Sequence, residues 1–278
     1  MSLSHPSQHR IPNVLSIAGV DPSGGAGLLA DVKTFSALGA YGCGVVTALT
    51  AQNTRAVTHI HEVPPGFLKA QLDTLFEDVR VDAVKIGMLA SEALIRTVAE
   101  AIDRHRPRFV VLDPVMVAKS GDRLLRADAV AALRSLLLPR ATVLTPNLPE
   151  ASDLLEGPVD EDPRRMALAA RALRDLGAAS VLLKGGHGSA ATLTDVLVEG
   201  DRTLELRAAR IATRNTHGTG CTLSSAIAAL LPQRPDIASA VADAHAYVAD
   251  AIRGSDRLSV GGGHGPLDHF FQPSPRRA

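Results

Sequence analysis

Four short stretches bring reactive side chains to places where the backbone has to turn. Asn215, Thr216, His217, Gly218, Thr219, Gly220, Cys221 and Thr222 run directly into an Ala-rich helical pattern. Successive glycine-flanked N–H groups at a helix start form a cradle for an anion, and the helix dipole adds potential favourable to negative charge. The same location predicts thiolate character for Cys221. A merely structural helix start is the plainer reading of this loop. Earlier in the chain, Asp21 sits among Gly19, Gly24, Gly25 and Gly27, an acid beside glycines that let backbone approach a ligand closely. The plainer reading there is a tight strand-to-helix turn. The glycine spacing lacks the triplet of a dinucleotide site, and no Gly-Lys-Ser or Gly-Lys-Thr follows to make a phosphate-binding P-loop.

Asn147 and Glu150 stand three positions apart within Thr145, Pro146, Asn147, Leu148, Pro149, Glu150. An amide and a carboxylate at that spacing share one face of a starting helix and suit hydrated magnesium. They equally suit a capping box, with Asn147 as cap and Glu150 closing it. Lys184 ends an apolar run beside Gly185, Gly186 and His187, where it either binds phosphate or reaches solvent. Further candidates follow other apolar runs: Gln52, Met88 after Ile86 and Gly87, and Asp113 with Pro114, Val115 and Met116. Taken singly, Met88 and Val115 are packing residues and Gln52 satisfies loop backbone. His5, His9 and His59 have no partner pattern and read as surface residues.

The elements that must position these residues alternate between short apolar runs and longer helical patterns, the signature of β-α units around a parallel sheet. Strands are expected at 14–18, 43–49, 83–86, 109–112, 142–144 and 181–183. Helices are expected at 27–38, 67–78, 92–105, 129–137, 148–155, 164–176, 218–231 and 238–252. Between residues 191 and 208 two β-rich runs flank Glu199, Gly200 and Asp201, which predicts a hairpin. The glycine-rich 261–265 stretch reads as a loop. In open α/β sheets ligands bind beyond the carboxyl ends of the strands, and each candidate above follows a strand or opens a helix.

Composition narrows the functional classes. Lys plus Arg and Asp plus Glu are 29 each, so no overall field draws nucleic acid or an anionic membrane, and any anion site is local. Trp is absent and aromatics are scarce, so Ala, Val, Leu and Ile must fill the core. No segment reads as a bilayer span, and the polar residues 1–12 read as a loose arm rather than a secretion signal. Cys43 and Cys221 are too few and too far apart for a disulfide framework or a zinc site, which makes a reducing cytoplasm the default. The length suits one α/β domain, expected at 13–271, with a tail at 272–278.

Together these residues resemble a known family. The 215–221 segment is similar to the second signature of ribokinase-like kinases, in which an Asp normally stands at the position of Cys221 and serves as base. The Cys variant resembles hydroxymethylpyrimidine and phosphomethylpyrimidine kinases, as do the 21–27 loop, the 47–54 run with Gln52, the 85–89 run with Met88 and the 113–121 run. The resemblance extends from Asn13 to Phe270 and ends on Gly265, Pro266, Leu267, Asp268, His269, Phe270. Val20, where Ser or Thr is commoner, and the N-terminal arm are the departures.

The resemblance implies a ribokinase-like α/β fold, a central mostly parallel sheet flanked by helices in three layers. It implies transfer of the ATP γ-phosphoryl to hydroxymethylpyrimidine and then to its monophosphate, in thiamin biosynthesis. By the same resemblance, Gln52 reads the aminopyrimidine edge, Met88 and Val115 hold the ring, and Asp21 lies near the hydroxymethyl end. Backbone N–H groups of Gly218, Thr219, Gly220 and Cys221 hold the transferring phosphoryl, with Cys221 as base. Lys184 and Asp113 serve the nucleotide, and Asn147 and Glu150 organise Mg²⁺ through water. A homodimer is the implied assembly.

Overall fold

The computed structural model describes residues 10–118, 121, 124–126, 129–186 and 191–271. Residues 1–9 of the expected arm, the 272–278 tail and His187 lie outside them. Among the described residues, nine strands form one sheet in the order β3-β2-β1-β4-β5-β6-β7-β8-β9. Its centre is parallel: β2 (Tyr41–Gln52), β1 (Asn13–Val20), β4 (Ala83–Ile86), β5 (Phe109–Leu112), β6 (Val143–Leu144) and β7 (Ser180–Leu183). These strands are almost wholly apolar because helices cover both faces. β8 (Thr192–Glu199) and β9 (Arg202–Ala209) form the expected antiparallel hairpin on one edge.

Strand alternation sends successive side chains to opposite layers. Leu15 and Ile17 of β1, with Val84 and Ile86 of β4, pack with residues of α2 (Pro65–Asp78) and α3 (Glu92–His105). The same layer receives α5 (Leu148–Leu155) and α6 (Pro163–Asp175). Val14, Ala83 and Val111 face the other way, towards α1 (Gly27–Ala37), α7 (Thr219–Leu230) and α8 (Ile237–Gly254). The result is the expected three-layer α/β/α arrangement.

Two elements differ from the sequence expectation. β3 (Val57–Glu62), antiparallel to β2, was not foreseen, because it is an exposed edge strand whose Thr58, His59 and His61 give no buried apolar run. The helix expected at 129–137 is irregular: α4 (Val130–Ala132) widens into a π-helical turn, Leu133–Leu137, then tightens into a 3-10 turn, Leu138–Arg140. Pro139, which has no N–H to continue a regular ladder, accounts for the break.

Candidate active site

Every candidate that follows a parallel strand emerges at the same edge of the sheet. Asp21 follows β1, Gln52 ends β2, Met88 follows β4, Asp113 and Val115 follow β5, Asn147 and Glu150 follow β6, and Lys184 follows β7. The cradle residues Gly218, Thr219, Gly220 and Cys221 open α7 at that edge. Gly218 has φ +80°, and a Cβ there would stand 1.8 Å from the Gly25 carbonyl oxygen. A Cβ on Gly25 would in turn stand 2.3 Å from His217 Cδ2. The two glycine-rich loops are therefore one structure, packed backbone against backbone.

Asp21 is the clasp between them. Its carboxylate lies 2.7 Å from His217 Nε2 and accepts from the Ser23 N–H and Oγ at 2.8 and 2.9 Å and from the Ala26 N–H at 3.0 Å. Burial pushes its carboxyl up, but the hydrogen bonds from His217 and Ser23 outweigh it and hold Asp21 below the ordinary carboxylate range. Sequence reasoning passed over His217 as a functional residue, although it lies inside the 215–222 motif. Its partner is 196 positions away.

On the other side of the cradle, Lys184 Nζ lies 3.2 Å from Asp113 Oδ1, and both side chains are largely buried. Lys184 thus does not extend freely into solvent. A Cβ on Gly220 would lie 3.4 Å from Lys184 Nζ and 3.8 Å from Asp113 Oδ2, which puts this pair directly beside the first turn of α7. Ser224 Oγ, one turn further along, donates to Asp113 Oδ2 at 3.1 Å. Burial disfavours the Asp113 carboxylate, yet the charges of Lys184 and Lys85 keep its pKa below the usual range.

Asn147 and Glu150 form a complete capping box. Asn147 Oδ1 accepts from the Glu150 N–H at 2.9 Å, and Glu150 Oε2 accepts from the Asn147 N–H at 2.8 Å. The cap does not exhaust Glu150. Burial pushes its pKa up to about 7, with Lys184 opposing and the negative charge of Asp113 adding to the rise. Glu150, Lys184 and Asp113 are one electrostatic cluster.

For Cys221 the structure corrects the expectation of thiolate character. The side chain keeps some surface open, but burial pushes the thiol up to about 11 despite the positive charge of Lys85 and the Gly27 N–H that bonds to it. The helix start does favour the thiolate, but desolvation is the larger effect. Just past β4, Met88 packs with Ala48 and Ala90, and its sulfur would be 3.0 Å from a Cβ on Gly19. Thr50 Oγ1 donates to the Val20 carbonyl at 2.8 Å and lies 3.1 Å from Gln52 Oε1, which sets Gln52 at the mouth of the Asp21 loop. Val115 is half-buried just past Asp113.

A mostly parallel sheet with a glycine-cradled helix start facing a buried Lys–Asp pair is the construction of a ribokinase-like phosphotransferase. The sequence pattern of the phosphomethylpyrimidine kinase family matches residues 21–268, and the chain belongs to that family. It is 51% identical over 258 residues to the hydroxymethylpyrimidine/phosphomethylpyrimidine kinase of Escherichia coli K12, covering 93% of this chain and 97% of that one. Among solved structures it is similar to an ADP complex of Bacillus subtilis pyridoxal kinase, with a TM-score of 0.86 and 35% identity over 94% of this chain and 98% of that one. The pyridoxal kinase of Staphylococcus aureus in complex with AMP-PCP and pyridoxal gives a TM-score of 0.85 and 33% identity, over 94% of each chain.

The raised carboxyl of Glu150 has a thermodynamic consequence. Glu150 binds its proton more tightly in the folded chain, at about 7 against an ordinary 4.5, so its contribution to stability is present below 4.5 and is lost as pH climbs towards 7. Glu150→Gln keeps an oxygen for the Asn147 N–H and removes the titration. Its melting temperature relative to wild type, measured without magnesium or nucleotide, is expected to rise between pH 5 and pH 8. Parallel melting profiles for the two proteins would refute the assignment.

Proposed function

We propose that this chain transfers the γ-phosphoryl group of ATP to the hydroxymethyl group of 4-amino-5-hydroxymethyl-2-methylpyrimidine, and then a second one to the resulting monophosphate, for thiamin biosynthesis. The observation that carries this reading is the packing of the Asp21 loop against the cradle that opens α7, with the Lys184–Asp113 pair on the cradle's far side. In this reading Gln52, Met88 and Val115 border the pyrimidine, and Lys184 and Asp113 border the nucleotide. Family membership supports the choice of substrate. The single continuous sheet supports reading residues 13–271 as one domain. A balanced charge fits a small-molecule partner rather than nucleic acid. Among the described residues no helix is long and apolar enough to cross a membrane. The homodimer stays part of this reading through the family resemblance, and the cytoplasmic location through the two widely spaced cysteines.

In the first transfer, the alcohol oxygen forms a bond to the γ-phosphorus while the bond from that phosphorus to the β,γ-bridging oxygen breaks, releasing ADP. Backbone N–H groups of Gly218, Thr219, Gly220 and Cys221 are fixed where charge shifts onto the phosphoryl oxygens, so they stabilise the transition state without reorganising. Lys184 offsets charge on the nucleotide side. Gln52 offers a donor and an acceptor to the adjacent amine and ring nitrogen of the pyrimidine. The alcohol proton passes to Cys221 in its thiolate form. Since the resting thiol has a pKa of about 11, only a small fraction is ready to accept that proton at neutral pH. Proton transfer therefore comes late, and positioning and electrostatics supply most of the acceleration.

Magnesium fits the donor set. Among the described residues no three His, Cys, Asp or Glu side chains are grouped to hold a metal unaided. Mg²⁺ ordinarily needs only one or two carboxylates besides water and substrate phosphates. Glu150 and Asp113 repel one another in the cluster they share with Lys184, and Asn147 holds Glu150 in place through the cap. When bound, the ion supplies charge neutralisation for the phosphates. A second reading, pyridoxal as substrate, is favoured by the likeness to the two pyridoxal kinase structures. Gln52 and Met88 favour the pyrimidine.

Incubation with Mg-ATP and either hydroxymethylpyrimidine or pyridoxal, followed by mass spectrometry, tests both readings. Mono- and diphosphates of the pyrimidine are expected; phosphorylation of pyridoxal alone would reject the pyrimidine assignment. The two transfers also make different demands on Cys221. The alcohol must lose a proton, and a nearby base contributes about 10²–10⁴-fold. A monoester phosphate has a second pKa near ~6 and already carries a free nucleophilic charge. Cys221→Ala keeps the backbone N–H of the cradle, so ADP release at saturation should fall far more with hydroxymethylpyrimidine than with its monophosphate. Equal losses would show that Cys221 acts through loop geometry instead.

A further inference from the structure

Asp31 and Lys85 have no part in the roles above, yet both are completely buried. Val84 and Ile86 face α2 and α3, so alternation along β4 sends Lys85 to the layer of α1 and α7. There its Nζ lies 2.8 and 3.0 Å from the two carboxylate oxygens of Asp31 on α1. The same carboxylate accepts from Ser16 Oγ on β1 at 2.5 Å and from Ser225 Oγ on α7 at 2.7 Å. Ser225 is four residues beyond Cys221 and shares its helix face, so the ion pair lies beneath α7 on the face that carries Cys221. An ion pair taken wholly out of water is a weak source of stability, and an apolar pair of similar volume often serves as well. Stability alone does not account for a charge in this place.

We propose that Lys85, oriented by Asp31, is a positioning residue of the phosphoryl transfer: a fixed buried cation beneath the anion cradle that favours negative charge on the Cys221 sulfur. The consequence for turnover rests on the kinase reading above. In a water-poor site such a charge acts strongly and needs no reorganisation. The groups acting on the sulfur are Lys85 from β4, Asp31 from α1, Asp113 from β5 and the N–H of Gly27 at the start of α1. Lys85 and Gly27 favour the thiolate, Asp31 and Asp113 oppose it, and Lys85 is the strongest of the charges. Lys184 and Glu150 act on Asp113 from the far side of the cluster.

The test compares Lys85→Met with Asp31→Asn in protein free of nucleotide and magnesium. The readout is the rate of Cys221 alkylation by iodoacetamide between pH 7 and pH 10, with the modified site located by mass spectrometry and the fold checked by circular dichroism. Lys85→Met should slow alkylation about tenfold, the effect of one pKa unit on the thiolate fraction, and Asp31→Asn should speed it by a similar factor. A merely structural pair predicts the same sign for both variants, because either change loosens the packing around the thiol. Changes of the same sign overturn the proposal. If a single variant does not fold, Lys85→Met/Asp31→Asn removes both charges and leaves neither unpaired. It should alkylate more slowly than wild type, since Lys85 outweighs Asp31 at the sulfur; an unchanged or faster rate would overturn the proposal equally. Lys85→Arg should recover most of the wild-type rate. Because this readout needs no substrate, its failure is distinct from a failure of wild-type protein to phosphorylate the pyrimidine.

Discussion

The contact of Gly25 with Gly218 is the constraint on which the site depends. A side chain at 218 would occupy the position of the Gly25 carbonyl, so the loop after β1 and the start of α7 approach at backbone distance only because both positions lack a Cβ. Their closeness permits the Asp21–His217 bond, and it sets the Gly27 N–H against the Cys221 sulfur. The left-handed backbone at Gly218, with φ +80°, then turns the chain into α7, whose first N–H, that of Thr219, makes only a long 3.4 Å bond to the Thr216 carbonyl. The loop after β1 and the glycine-flanked start of α7, far apart in the chain, are thereby held together.

Charge is balanced around that cleft by pairing rather than by solvent. Lys184 and Asp113 neutralise each other beside Gly220, Lys85 and Asp31 do so beneath Cys221, and Glu150 is pushed towards the neutral acid where no full counter-charge is left for it. Arriving phosphates and a divalent ion would enter a cluster whose charges are already fixed, and fixed charges are what an electrostatic catalyst requires. The raised thiol of Cys221 belongs to the same balance. Its dense surroundings disfavour a resting thiolate, and in the proposed mechanism a base in this place would act only as the alcohol gives up its proton.

Much of this was legible in the sequence because parallel strands buried on both faces read as unbroken apolar runs. Their carboxyl ends then mark where ligands bind, and Asp21, Gln52, Met88, Asp113, Val115, Asn147, Glu150 and Lys184 all emerge at that edge. β3 escaped because an exposed edge strand needs no apolar pattern. Asn147 and Glu150 illustrate a different limit: a cap and a metal shell ask for the same residues at the same spacing, and only the reciprocal hydrogen bonds reveal the cap. The helix start located Cys221 but misjudged its ionisation, since local sequence carries no measure of desolvation. His217 and the Lys85–Asp31 pair were invisible for want of partners, which lie 196 and 54 positions away. A lone Lys within the apolar β4 run was the available clue to the second.

The claim that the α7 start holds the transferring phosphoryl is open to direct observation in a crystal structure with ADP, aluminium fluoride and hydroxymethylpyrimidine bound together. The account predicts that the fluoride atoms lie within hydrogen-bonding distance of the backbone N–H groups of Gly218, Thr219, Gly220 and Cys221, with Lys184 on the ADP side and Gln52 on the pyrimidine. An aluminium fluoride group seated elsewhere, for instance on the N–H groups of Gly24 to Ala26 with the α7 start facing only water, would contradict it.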